Sequence, residues 1–143
     1  MAQPVQFHSA DKTLRFTNKT KLKQFIERLF TLEKKRLSAI HYIFCSDEYL
    51  LQMNKDFLQH DYYTDIITFG LSEKGEPIDG EVYISLDRVK DNVTQHATTI
   101  ERETLRVIFH GALHLCGYKD KKKEDIALMR KKEDHYINLY LRK

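Results

Sequence analysis

Cysteine is scarce in this chain: two residues, Cys45 and Cys116, among 143. They form no Cys-x-x-Cys pair and cannot build a disulfide framework, so a small disulfide-stapled scaffold is excluded. Both thiols are expected to be reduced, small core residues. Long apolar runs are also missing. None approaches the roughly 18 residues that span a bilayer, which excludes a transmembrane helix on sequence grounds. The stretch Met1-Ala2-Gln3-Pro4-Val5 has neither a basic start nor an apolar continuation. No secretory signal is therefore expected, and a cytoplasmic location follows. Charge of one sign is not in large excess either. Lys and Arg number 24 against 21 Asp and Glu, for a net +3, with a pI near 8.8. That mild basicity permits contact with nucleic acid without demanding it. Repeats, low-complexity tracts and interdomain linkers are absent.

What remains is an ordinary soluble composition, 41% hydrophobic and 31% charged, long enough for one core and short for two. Residues 1–143 are expected to form a single domain. Alternation at Val5 and Phe7 predicts a first strand. Asn18 is placed to cap a helix whose apolar positions are Leu22, Phe25, Ile26 and Leu29. Ser38 to Cys45 reads as a buried strand, and Ser46-Asp47 caps a helix carrying Leu50, Leu51, Met53 and Phe57. Gln59 to Thr64 reads as a loop and Asp65 to Leu71 as a strand. The turn residues Gly75 and Pro77 precede a further strand, Gly80 to Leu86, that should pair antiparallel with its predecessor. A short helix follows over Asp87 to His96. Thr98 with Glu101 predicts a capping box for a helix whose buried stripe is Leu105, Ile108, Phe109, Ala112 and Cys116. A last helix over about Lys123 to Leu141 presents Ile126, Met129, Tyr136, Ile137 and Tyr140. This order predicts an α+β fold, an α/β sandwich with a mixed sheet of about four strands and about five helices.

Phe109-His110-Gly111-Ala112-Leu113-His114-Leu115-Cys116-Gly117-Tyr118-Lys119-Asp120 is the most informative segment. Histidines four apart on a helix project from one face and can reach a single divalent ion. Gly117 tolerates the left-handed conformation usual after a helix end, so the chain can turn back and deliver Asp120 to the same point. His110, His114 and Asp120 would then form a two-histidine, one-carboxylate zinc site at the C-terminal part of a central helix. A fourth position would stay open for water, the catalytic pattern. The protease motif His-Glu-x-x-His has a glutamate after the first histidine. Here that residue is Gly111, so a thermolysin-like peptidase lacks its base.

Three basic clusters occur: Lys34-Lys35-Arg36, Lys119 to Lys123 broken by Asp120, and Arg130-Lys131-Lys132. They are either solvated faces or phosphate contacts. Lys121, Lys122 and Lys123, beside the proposed metal, are the candidates for neutralising phosphates. His60, Tyr62 and Tyr63 are either a platform for unstacked bases or a loop packed on the sheet.

His110-Gly111-x-Leu113-His114-Leu115-x-Gly117-Tyr118 resembles the signature of the YbeY family of bacterial rRNA maturation factors. Asn54 to Phe69, with Thr64-Asp65-Ile66-Ile67-Thr68-Phe69 at its end, is similar to a second family block, Gly80 to Ser85 to a third, and Met129 and Glu133 fit the closing helix. Two positions depart from the pattern. Asp120 stands where the family has its third metal-binding histidine, and Leu58 stands where it usually has an arginine. The resemblance implies a zinc-dependent, single-strand-specific endoribonuclease with one Zn²⁺ per chain, His110 and His114 being catalytic as ligands. It also implies action in 16S rRNA 3′-end maturation and ribosome quality control. RNA and the small ribosomal subunit are the implied partners, with neither membrane nor DNA. Asp65 is a candidate base, or equally a cap. Two rivals remain open: another zinc hydrolase, and a ribosome-associated RNA-binding factor whose metal is structural.

Overall fold

The computed structural model describes residues 3–14, 18–59 and 64–142. In chain order the elements are β1 (Val5–Ser9), α1 (Lys19–Leu32), β2 (Leu37–Cys45), α2 (Asp47–Leu58), β3 (Ile66–Gly70), β4 (Ile78–Ser85), α3 (Leu86–His96), α4 (Ile100–Leu115) and α5 (Lys123–Leu141). The sheet runs β1-β2-β4-β3. β1, β2 and β4 are mutually parallel, and β3 joins β4 antiparallel at the edge. Among the described residues, four strands in a mixed sheet and five helices make the expected α+β fold. Among the described residues no helix is long and apolar enough to cross a membrane.

Side-chain caps start four of the helices. Asn18 Oδ1 accepts from the Lys21 amide, Ser46 Oγ from Tyr49, and Ser85 Oγ from Arg88, each quenching a donor that the first turn leaves unpaired. For α4 the expected capping box of Thr98 and Glu101 does not form. The cap is Thr99, whose Oγ1 accepts from the Arg102 amide at 3.1 Å. The physical reason lies in the preceding helix. Ala97 closes α3 in the left-handed conformation at φ 49° and its amide bonds back to Val93. The Thr98 amide points to the same carbonyl, so Thr98 belongs to the end of α3 and Thr99 opens α4.

Val5, Ile40, Tyr42, Phe44, Val82 and Ile84 share a buried cluster with Leu22, Phe25, Ile26, Leu29 and Phe30 of α1, with Leu105, Ile108, Phe109, Ala112 and Leu113 of α4, and with Met129, Tyr136 and Ile137 of α5. The opposite face carries a smaller cluster in which α2 covers Cys45 and Ile67 with Leu50. α4 lies at the centre and touches α1, α3, α5, β3 and β4. Gly111 explains how it gets so close to the sheet. A Cβ built there would lie 2.6 Å from Val82 Cγ1 and 3.3 Å from Ile66 Cδ1. Absence of a side chain at this position lets the helix seat directly on β4, which brings His110, one residue earlier, over the start of β3. The Tyr42 hydroxyl adds a cross-layer bond to the Ile108 carbonyl at 2.9 Å.

Candidate metal centre

The turn after α4 decides what His110 meets. Gly117 adopts φ 113°; the Gly117 amide bonds the His114 carbonyl at 3.0 Å and the Tyr118 amide bonds Leu113 at 3.1 Å. This pair of bonds is a Schellman closure, which requires a left-handed residue where Gly117 stands. Tyr118 then anchors the turn, donating its hydroxyl to Glu33 Oε1 at 2.7 Å. Glu33 also accepts from Tyr136 and from Lys132 at 3.4 Å. Burial opposes the Glu33 charge, but these hydroxyl donors and the lysine prevail and hold its carboxyl below the usual range.

The reversed chain places Asp120 Oδ2 3.1 Å from His110 Nε2. The other ring nitrogen, Nδ1, lies 2.6 Å from Glu133 Oε2 on α5. An ionised carboxylate only accepts, so Nδ1 donates to Glu133 and Nε2 is left facing a second carboxylate. Two lone pairs in that position require a cation between them. A proton on Nε2 is one such cation. Burial works against the imidazolium, yet the Glu133 hydrogen bond and the charges of Glu133, Asp120 and Asp65 outweigh it and raise the His110 pKa. The 3.1 Å separation is also close to the spacing of about 3.3 Å between adjacent donors in a tetrahedral shell with bonds near 2 Å. His110 and Asp120 thus have the spacing of two adjacent donors to a divalent ion, and Glu133 stands where the outer partner of a ligating histidine would stand.

His114 is on the same helix one turn later, exposed, and does not line the cavity around His110. As the side chains stand, no group of three or more His, Cys, Asp and Glu among the described residues is arranged to hold an ion. Two of the three expected donors are thus brought together, and His114 is not placed with them. Lys121, Lys122 and Lys123 follow Asp120 directly and are exposed; none of them lines the cavity. His60, Tyr62 and Tyr63 lie outside the described residues. Leu58 is partly exposed at the end of α2.

The cavity has a volume of about 670 Å³. Besides His110 and Asp120 its walls carry Asp65 from the approach to β3, Asn92 from α3, Glu103 and Arg106 from α4, and Glu133 from α5. Asn92 Nδ2 donates to Asp65 Oδ2 and to Glu103 Oε2, 3.4 Å each. Desolvation raises the pKa of both carboxyls. Arg106 pairs with Glu133 at 2.9 Å and Asp134 at 2.7 Å, which clamps the carboxylate that holds His110. Asp65 was legible as a candidate from sequence. Glu103, Arg106 and Glu133 were not assigned roles, although Glu103, Arg106 and His110 repeat at i, i+3 and i+7 on one helix face. A polar stripe on an otherwise buried helix was the signal available for two of them.

The family model described as endoribonuclease YbeY matches residues 5–140. Among curated proteins, an endoribonuclease YbeY of Cytophaga hutchinsonii is 45% identical over 137 residues, 96% of each chain. One from Chlorobaculum tepidum is 42% identical over 134 residues, covering 94% of this chain and 96% of the relative. Among solved structures, a Thermotoga maritima protein determined in solution superposes with a TM-score of 0.62 at 26% identity, covering 95% of this chain and 88% of that one.

Proposed function

The chain belongs to the endoribonuclease YbeY family, and from that premise we propose that it is a metal-dependent endoribonuclease acting on single-stranded RNA during rRNA maturation. The observation that carries this reading is the cavity in which His110 Nε2 faces Asp120 while Glu133 holds the opposite ring nitrogen. We assign His110, His114 and Asp120 as the donors for one Zn²⁺. When bound, such an ion supplies Lewis-acid chemistry toward water and a phosphoryl oxygen. The remaining roles belong to the chain. Glu133, held by Arg106, fixes the tautomer and plane of His110. Asp65, whose pKa burial raises, is the wall carboxyl suited to take or give a proton beside the scissile phosphate. Lys121 to Lys123 lie where an RNA strand leaving the cavity past Asp120 would meet positive charge. Action at the 3′ end of 16S rRNA, a place in ribosome quality control, contact with the small ribosomal subunit and a cytoplasmic site of action complete the proposal.

The test is cleavage of a labelled single-stranded RNA by the wild type, by His110→Ala and by His114→Ala, each with its zinc content measured. The expected result is cleavage and about one zinc per chain in the wild type, with both reduced at least tenfold in the variants. Variants that cleave at the wild-type rate would refute the assignment. The exposed position of His114 favours one rival, a ribosome-associated RNA-binding protein. Tight RNA binding without cleavage or zinc would establish that instead.

A further inference from the structure

Resting on the RNA-cleavage reading, one residue of the cavity acquires a role that the metal donors do not supply. A phosphodiester entering this cavity meets walls bearing Asp65, Glu103, Asp120 and Glu133. It must find positive charge to offset them. Among the described residues two arginines, Arg106 and Arg130, line the cavity. Arg106 is engaged on two sides, by Glu133 and Asp134, and its side chain is 18% exposed. Its guanidinium is committed to holding the outer carboxylate.

Arg130 differs. It lies one turn before Glu133 on α5, its side chain is 59% exposed, and its Nη1 is 3.8 Å from Glu133 Oε1. That is too long for a hydrogen bond, and Arg130 is at the same time a lining residue of the cavity. A guanidinium has five N–H donors, so a bidentate face remains for a phosphate. Ile126, a turn earlier and 47% exposed, also lines the cavity. It offers apolar surface beside the charge. The lysines after Asp120 do not reach the cavity walls, so they do not substitute.

We infer that Arg130 is the residue that grips the substrate phosphate at the cavity mouth, a binding contact of the cleavage reaction. A purely structural role, neutralising Glu133, would appear in thermal stability and in metal affinity. A phosphate contact appears instead in KM and in the salt dependence of binding.

The experiment uses the full metal-loaded chain and a fluorescent single-stranded RNA oligonucleotide. Arg130→Ala should raise KM roughly tenfold with kcat within about threefold of wild type, and Arg130→Lys should recover part of the loss, as expected for a charge contact lacking the fork. The slope of log affinity against log salt, measured by anisotropy, should become shallower by about 0.7, one single-strand phosphate. Unchanged KM and slope in Arg130→Ala would overturn the inference, as would an effect confined to thermal midpoint or zinc content. If the wild type binds this RNA but does not cleave it, the endoribonuclease reading fails by itself. The anisotropy arm still decides on Arg130: equal affinity and slope refute it, and weaker, less salt-dependent binding supports it. A wild type that neither cleaves nor binds the oligonucleotide refutes both.

Discussion

At the scale of residues, the site is a set of acids made tolerable by hydrogen bonds and cations. Asp65 is the informative member. Burial dominates and raises its pKa; the charge of His110, its own backbone and Asn92 act the other way, and Glu133 adds to the rise. A group whose folded pKa exceeds its unfolded value gives stability that is complete below the unfolded value, near 3.8 for Asp65. That stability is lost as pH rises through the folded value. Removing the charge should therefore help the folded state at neutral pH. With a chelator present, Asp65→Asn is expected to resist urea better than the wild type at pH 7, and the advantage should shrink as the pH falls toward 4. An advantage that grows with acidity would show that the carboxylate is stabilised and not strained. The same scale shows what sequence could reveal. His110, His114 and Asp120 were legible because helix periodicity and a left-handed turn are local. Glu133 was not assigned as the partner of His110, because nothing local tells which helix will pack beside α4.

At the scale of elements, α4 carries the site and the glycine inside it sets its depth. From sequence, Gly111 is part of the family signature and marks the absence of a protease glutamate. The structure adds a packing role, since Val82 and Ile66 occupy the space a methyl group would need. Gly111→Ala should cost about 1–3 kcal/mol, the range for overpacking a core, despite alanine's better helix propensity. Chemical denaturation would measure it; a variant as stable as the wild type would mean that the helix shifts at no cost. The starts of α1 and α2 were legible from their caps, and the extent of α5 from its apolar spacing. The start of α4 was misplaced by one residue because Thr98 and Thr99 are both capping residues, and only the left-handed Ala97 assigns the first to α3. Of the apolar positions named for α5, Ile126 is exposed and lines the cavity, whereas Met129, Tyr136 and Ile137 are buried.

At the scale of the whole molecule, the sheet serves as a platform that brings distant segments to one cavity. Asp65 comes from the approach to the edge strand, Asn92 from α3, His110 from α4 and Glu133 from α5. Alternation and turn chemistry foretold the antiparallel pairing of β3 and β4. The sequence reading did not extend to the strand order β1-β2-β4-β3, since parallel neighbours are chosen by how the intervening helices pack and not by any local signal. The central claim is that the α4 histidines and the carboxylate after the turn hold one ion together. Equilibrium zinc titration of the wild type and of Asp120→Ala tests it most directly. One equivalent is expected to bind the wild type, and at least tenfold more weakly the variant. Equal affinity in the two proteins would contradict the account.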